Sequence, residues 1–109
     1  MGKFVITLRK NGEFQINLKA TNGQVILTSE GYTTKTACLN GIESVKKNAA
    51  IPERFEIKEA KNGKPFFNLK ASNGQVVGAS QMYSSEATLK NGIASVAKNA
   101  PDAPIVEEL

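Results

Sequence analysis

Residues 3–50 lie over residues 54–101 without a gap, and 23 of the 48 aligned pairs are identical. The identities cluster. Lys10-Asn11-Gly12 matches Lys61-Asn62-Gly63, residues 18–25 match 69–76 apart from Thr21 and Ser72, and Tyr32 matches Tyr83. Asn40-Gly41-Ile42 matches Asn91-Gly92-Ile93, and Lys47-Asn48-Ala49 matches Lys98-Asn99-Ala100. An ungapped offset of this length marks a duplicated supersecondary unit, and two copies are too few for a solenoid, which needs about three. The chain must therefore bury two similar units against each other.

Each unit begins with apolar residues at a spacing of two. Phe4, Ile6 and Leu8 alternate with Val5, Thr7 and Arg9, and the chain returns through Phe14, Ile16, Leu18 and Ala20. Such alternation predicts strands with one buried face, with Gln15, Asn17 and Lys19 on the other. Asn11-Gly12 and Asn22-Gly23 read as tight hairpin turns, because Asn and Gly tolerate the positive φ that type I′ turns require. A third strand is expected over residues 24–29, where the continuous Val25-Ile26-Leu27 leaves open which side faces inward. After Tyr32 the spacing changes to 3.6. Cys38, Ile42, Val45 and Ala49 form one helical stripe, as do Leu89, Ile93, Val96 and Ala100. Thr33 or Thr34, and Ser84 or Ser85, suit N-caps, and Pro52 and Pro101 oppose continuation past the helix ends. Gly41 and Gly92 fall mid-helix at about 1 kcal/mol each relative to alanine, a cost that close approach of helix to sheet would offset.

A three-stranded sheet with one helix covers one face and little core. Two such units should share one mainly antiparallel sheet, with both helices on one face and the other face largely polar. The expected class is α+β, built from tandem β3-α repeats with a short C-terminal strand. The expected organisation is one compact domain over residues 1–109, with repeats at 3–50 and 54–101 and a terminal strand at 104–109. That strand follows from extending the offset, which lays Ile105-Val106 over Arg54-Phe55. The strand around Phe55 is placed both to close the first unit and to open the second.

The run "KNGEFQINLKATNGQVILTSEGYTTK" followed by "NGIESVKKNA", repeated as "KNGKPFFNLKASNGQVVGASQMYSS" followed by "NGIASVAKNA", closely resembles the YegP-like family of small bacterial proteins in its tandem-repeat branch. The resemblance covers nearly the whole chain. It implies β3-α-β units in one sheet, with C-terminal strands exchanged between units. It carries no catalytic or binding residues, because none are established for the family. Copy two departs in having Gln81 for Glu30, and Pro65 and Phe66 for Phe14 and Gln15.

Composition narrows the chemistry. Histidine is absent, which removes imidazole acid–base catalysis, His-based triads and zinc sites with histidine ligands. The single cysteine, Cys38, permits no internal disulfide and no cysteine cluster for a metal. No run of 18 apolar residues exists. The N-terminal segment lacks the pattern of a signal peptide, and Ile6 stands where a myristoylation signal has Ser or Thr. The expectation is a cytoplasmic protein with no membrane partner. Each repeat carries seven Lys/Arg and three Glu, and Glu53, Asp102, Glu107 and Glu108 bring the total to +4. That mild basicity mainly serves solubility.

No catalytic residues, cofactor or metal are assigned. No acid within one repeat recurs in the other: Glu13 aligns with Lys64, Glu30 with Gln81 and Glu43 with Ala94. The Asn-Gly turns lack the patterns of phosphate-binding loops. Tyr32 and Tyr83 read as packed aromatics with a hydrogen-bonded hydroxyl, and Cys38, aligned with Leu89, as a buried small apolar residue. The candidate binding face is Gln15, Asn17, Lys19 and their mates Phe66, Asn68 and Lys70. A strand-centre Asn is disfavoured by propensity. Asn17 and Asn68 thus mark either a paired polar groove or amides that brace a neighbouring strand, the simpler reading. The function read from these features is that of a small binding or structural module without catalysis, with a protein, peptide or anionic partner. The alternative is a weak nucleic-acid or anionic-ligand binder using a basic sheet face, although no dense basic run supports specific nucleic-acid recognition. Either a monomer or a weak homodimer fits.

Overall fold

A computed structural model describes residues 2–109. The first repeat forms β1 (Lys3–Leu8), β2 (Phe14–Lys19), β3 (Val25–Thr28) and helix α1 (Lys35–Ala49). The second forms β4 (Phe55–Glu59), β5 (Pro65–Lys70), β6 (Val76–Ala79) and α2 (Glu86–Asn99), and β7 (Ile105–Glu108) follows. A 3₁₀ turn at Pro52–Arg54 joins the repeats. All seven strands share one sheet in the order β4-β5-β6-β3-β2-β1-β7, so the α+β class and the tandem architecture hold.

Both hairpin loops of each repeat obey one local rule, and it is not the type I′ rule. Positive φ occurs only at the glycines, Gly12, Gly23, Gly63 and Gly74; among the described residues no other residue has it. In the first loop the Gly12 amide donates to the Arg9 carbonyl and the Arg9 amide to the Glu13 carbonyl, a type I turn with a glycine bulge. The other three loops repeat this pattern. The asparagine contributes through its side chain. Oδ1 of Asn11, Asn22, Asn62 and Asn73 each accepts from the amide two residues on, at 3.0 Å.

The helices form where the 3.6 spacing places them. Thr34 and Ser85 are the N-caps, accepting from the Ala37 and Thr88 amides. Phe4, Ile6, Ile16, Leu18, Leu27, Phe67 and Leu69 on the sheet and Cys38, Ile42, Val45, Leu89 and Val96 on the helices form one buried cluster. The helices interlock the repeats: α1 packs on β2 and also on β5 and β6, and α2 packs on β5 and on β3. The helix glycines permit this. A Cβ at Gly41 would lie 2.7 Å from Tyr32 Cζ and against the hydroxyl oxygen, and one at Gly92 would meet Tyr83 in the same way.

The pairing of β2 with β3 shifts register between Leu18 and Lys19, leaving Ile26 as the extra residue of β3. Leu27 pairs with Leu18 on the helix side, while Ile26 is buried at the irregularity. The irregularity is how three consecutive apolar residues fit a sheet of period two.

The strand around Phe55 does not close the first unit. It pairs with β5 at the far edge, and the open side of β1 is taken by β7, which runs parallel with Phe4 beside Ile105 and Ile6 beside Glu107. The strand following each helix thus joins the other unit's strands, the exchange implied by the YegP-like resemblance. The repeats meet where β3 pairs with β6 through Thr28 and Ala79.

Candidate functional site

The sheet face away from the helices is built in rows. Register aligns Glu56, Asn68, Ala79, Thr28, Asn17 and Val5 in one row across six strands. Asn17 and Asn68 therefore stand three strand spacings apart, about 14 Å, with Thr28 and Ala79 between them. Each amide is engaged by a neighbouring strand. Asn17 Oδ1 accepts from Thr28 Oγ1 at 3.0 Å, and Asn68 stands beside Glu56 in the register, where it helps to lower the pKa of that carboxyl. Asn17 thus makes a cross-strand contact, and Asn68 faces a carboxylate of the neighbouring strand.

The other candidates separate. Strands β2 and β5 run in opposite directions, so Gln15 and Phe66 fall on opposite sides of the row. Gln15 Nε2 donates to the Ser29 carbonyl at 3.1 Å. Lys70 Nζ donates to Glu56 at 2.9 Å. This hydrogen bond is the main reason that the Glu56 carboxyl lies below its ordinary pKa, aided by the charges of Lys70 and Lys58 and by Asn68, against an opposing, smaller desolvation. Phe66 sits beside Lys58 in the register. The row and its flanks carry Glu56 and Glu30 among the lysines, so a uniformly basic face is not present.

What the face does hold is a cleft of about 590 Å³ over the β3–β6 seam. Its lining is drawn from matching positions of both repeats: Val25 and Val76, Thr28 and Ala79, Ser29 and Ser80, Glu30 and Gln81. Arg9 and Gln15 add a polar end from the first repeat alone. Of the candidate face, only Gln15 lines this cleft. The seam forms because Leu27 and Gly78, aligned positions of the repeats, approach each other there. A Cβ at Gly78 would sit 2.8 Å from Leu27 Cγ and Cδ2, so one leucine fills a place that two would overfill.

Cys38, Tyr32 and Tyr83 pack in or against the core beneath the sheet. Cys38 is buried, and its burial raises the thiol pKa, the opposite of what a nucleophile needs. Burial raises the pKa of both tyrosines, and the nearby Glu30 and Cys38 raise that of Tyr32 further. Among the described residues no group of three His, Cys, Asp or Glu side chains is placed to hold a metal, and no helix is long and apolar enough to cross a membrane.

The profile of a family described as "Domain of unknown function (DUF1508)" matches residues 10–56 and again residues 60–107. A UPF0339 protein from the ptx operon 5′ region of Stutzerimonas stutzeri is 58% identical over 106 residues, spanning 97% of this chain and 96% of that one. The chain belongs to this YegP-like UPF0339 family. The UPF0339 protein YegP of Yersinia pestis is 48% identical over 99 residues, covering 91% of this chain and 88% of its own. The UPF0339 fold has been seen in solution. An NMR structure from Shewanella oneidensis aligns with TM-score 0.91 at 50% identity, over 97% of this chain and 90% of that one. Another, of a protein of unknown function, yegP from E. coli, aligns with TM-score 0.93 at 45% identity, over 98% and 92%. These UPF0339 relatives are uncharacterised, and no activity is attached to them.

Proposed function

We propose that this UPF0339 chain is a non-catalytic binding module whose ligand lies across the outer-face cleft over the β3–β6 seam. The observation that carries this reading is the shared lining: neither repeat alone makes the cleft, and the pairs Val25/Val76 and Thr28/Ala79 give it a continuous, mostly apolar floor. Its size is within the range of small-molecule and peptide sites, about 300–1,000 Å³. Arg9, Gln15 and Glu30 supply hydrogen-bonding groups at one end. A ligand with an extended apolar body and one polar terminus matches that arrangement. The only ionisable side chains lining the cleft are Arg9 and Glu30. Arg9 is itself held by Glu13 at 3.7 Å, and a positioned guanidinium suits recognition of a polar terminus. A reducing, cytoplasmic setting fits a chain with one unpaired thiol.

The test is capture from lysate by the full chain and by its A79W variant, at low and high salt, with bound protein, small molecules and nucleic acid all analysed. The reading expects salt-tolerant capture that A79W abolishes while the variant keeps a folded amide spectrum. Capture of nucleic acid that salt releases and A79W leaves intact contradicts it.

A further inference from the structure

The 51-residue offset pairs β4 with β1, yet the two strands have different surroundings. On its outer side β1 is covered by β7, and Ile6 is 0% exposed; among the described residues no strand covers β4, and its mate Ile57 is 48% exposed. Phe4 and Phe55, and Ile6 and Ile57, are the same residues in the same register, so the edge that β7 fills on β1 is reproduced on β4 and left open. A cleft of about 430 Å³ lies at the end of this strand, between the β4–β5 turn and the start of α2, lined by Ile57, Lys58, Glu59, Gly63, Pro65 and Glu86.

The charge beside this edge is reversed. On β1, Glu107 of the covering strand stands beside Ile6 and pairs with Lys35 in the first turn of α1, Nζ to Oε2 at 2.6 Å. The residue aligned with Lys35 is Glu86, in the first turn of α2 and on the wall of the cleft with Ile57. A strand seated on β4 as β7 sits on β1 brings its third residue to Glu86. The chain's own β7 brings a glutamate there, and like charges repel. A second copy's β7 is thereby disfavoured, and a cationic residue is favoured.

We infer that the open edge of β4 accepts an extended segment of another protein as a parallel strand, with an apolar residue beside Phe55 and a lysine or arginine two positions later, against Glu86. Strand addition supplies backbone hydrogen bonds along the edge, and alternate side chains set specificity. Lys58 and Glu59 at the end of β4 are the charged residues with which a free edge avoids indiscriminate pairing. They leave Phe55 and Ile57 as the apolar positions to be covered. This site is separate from the seam cleft and does not depend on it.

The experiment titrates the ¹⁵N-labelled full chain with the peptide of residues 103–109 and with the same peptide carrying E107K. The expected result is shifts of the Phe55–Glu59 amides and of Glu86 by the E107K peptide, with affinity about tenfold above that of the unmodified one. In an E86K chain the preference reverses; Glu86 is exposed and the Ser85–Thr88 capping box does not use its side chain, so that variant keeps its fold. The inference is overturned by equal affinity of the two peptides, by the absence of β4 shifts at millimolar peptide, or by shifts confined to β1. Sedimentation that shows the unmodified chain dimerising through β4 overturns it as well.

Discussion

Replacing Gly41 by alanine sets two effects of opposite sign against each other. In an open helix the change stabilises by about 1 kcal/mol through backbone propensity. Here the new Cβ meets the Tyr32 hydroxyl oxygen, lies 2.7 Å from Cζ and 3.2 Å from Ile16 Cδ1. The tyrosine has little room to give, because its backbone exchanges two hydrogen bonds of 2.7 Å with Phe14. Overpacking of this kind costs about 1–3 kcal/mol, so the contact outweighs propensity and G41A is expected to destabilise by about 1 kcal/mol. For a domain of this size, each kcal/mol lowers the melting temperature by about 4–8 °C. Urea unfolding of wild type, G41A, Y32V and the double variant closes a thermodynamic cycle. With the ring removed, G41A should turn stabilising, and the coupling should reach about 2 kcal/mol. A G41A that stabilises the wild-type chain, or has the same effect in both backgrounds, refutes the account of the helix glycine.

G78A should destabilise by about 1–3 kcal/mol because its Cβ meets Leu27 at 2.8 Å, and L27A in the same chain should recover part of the loss. Equal effects of G78A with and without Leu27 would place the strain elsewhere. Glu56, whose folded pKa lies below its unfolded value, stabilises the fold above the ordinary carboxylate pKa, and that contribution is lost as pH falls through the depressed value. E56Q should therefore flatten the acid limb of a stability-versus-pH profile, and an unchanged limb would mean that the Lys70 pair does not persist in solution. Residues 1–51 alone should show no cooperative thermal transition by circular dichroism, since α1 also packs on β5 and β6 and β1 needs β7. A sharp transition would show that the repeats fold independently.

The fold was legible where local chemistry repeats itself. The alternation of Phe4, Ile6 and Leu8, the stripe through Ile42 and Val45, and the caps at Thr34 and Ser85 each follow from spacing and residue type. The turns were located by Asn-Gly but given the wrong geometry. The asparagine side chain bonds the amide two residues on, which makes its own positive φ unnecessary. The destination of the Phe55 strand was not legible, because repeat identity fixes which strands are equivalent and not which edges meet. The cleft was missed for the same reason, since Thr28 and Ala79 are unremarkable until β3 and β6 are side by side. One signal was present: Leu27 becomes Gly78 where most of the neighbouring core positions stay apolar, as expected where two copies of a side chain collide. Asn17 and Asn68 drew notice because strands disfavour asparagine; Asn17 hydrogen-bonds across to Thr28, and Asn68 sits beside Glu56.

The most direct measurement of the central claim is an amide shift map of the ¹⁵N-labelled chain against a library of small amphipathic fragments. The binding-module account predicts that the strongest responses cluster on residues 25–30 and 76–81 together, from both repeats at once, and that A79W removes them. Responses confined to one repeat, or scattered over lysines and abolished by salt, would contradict it.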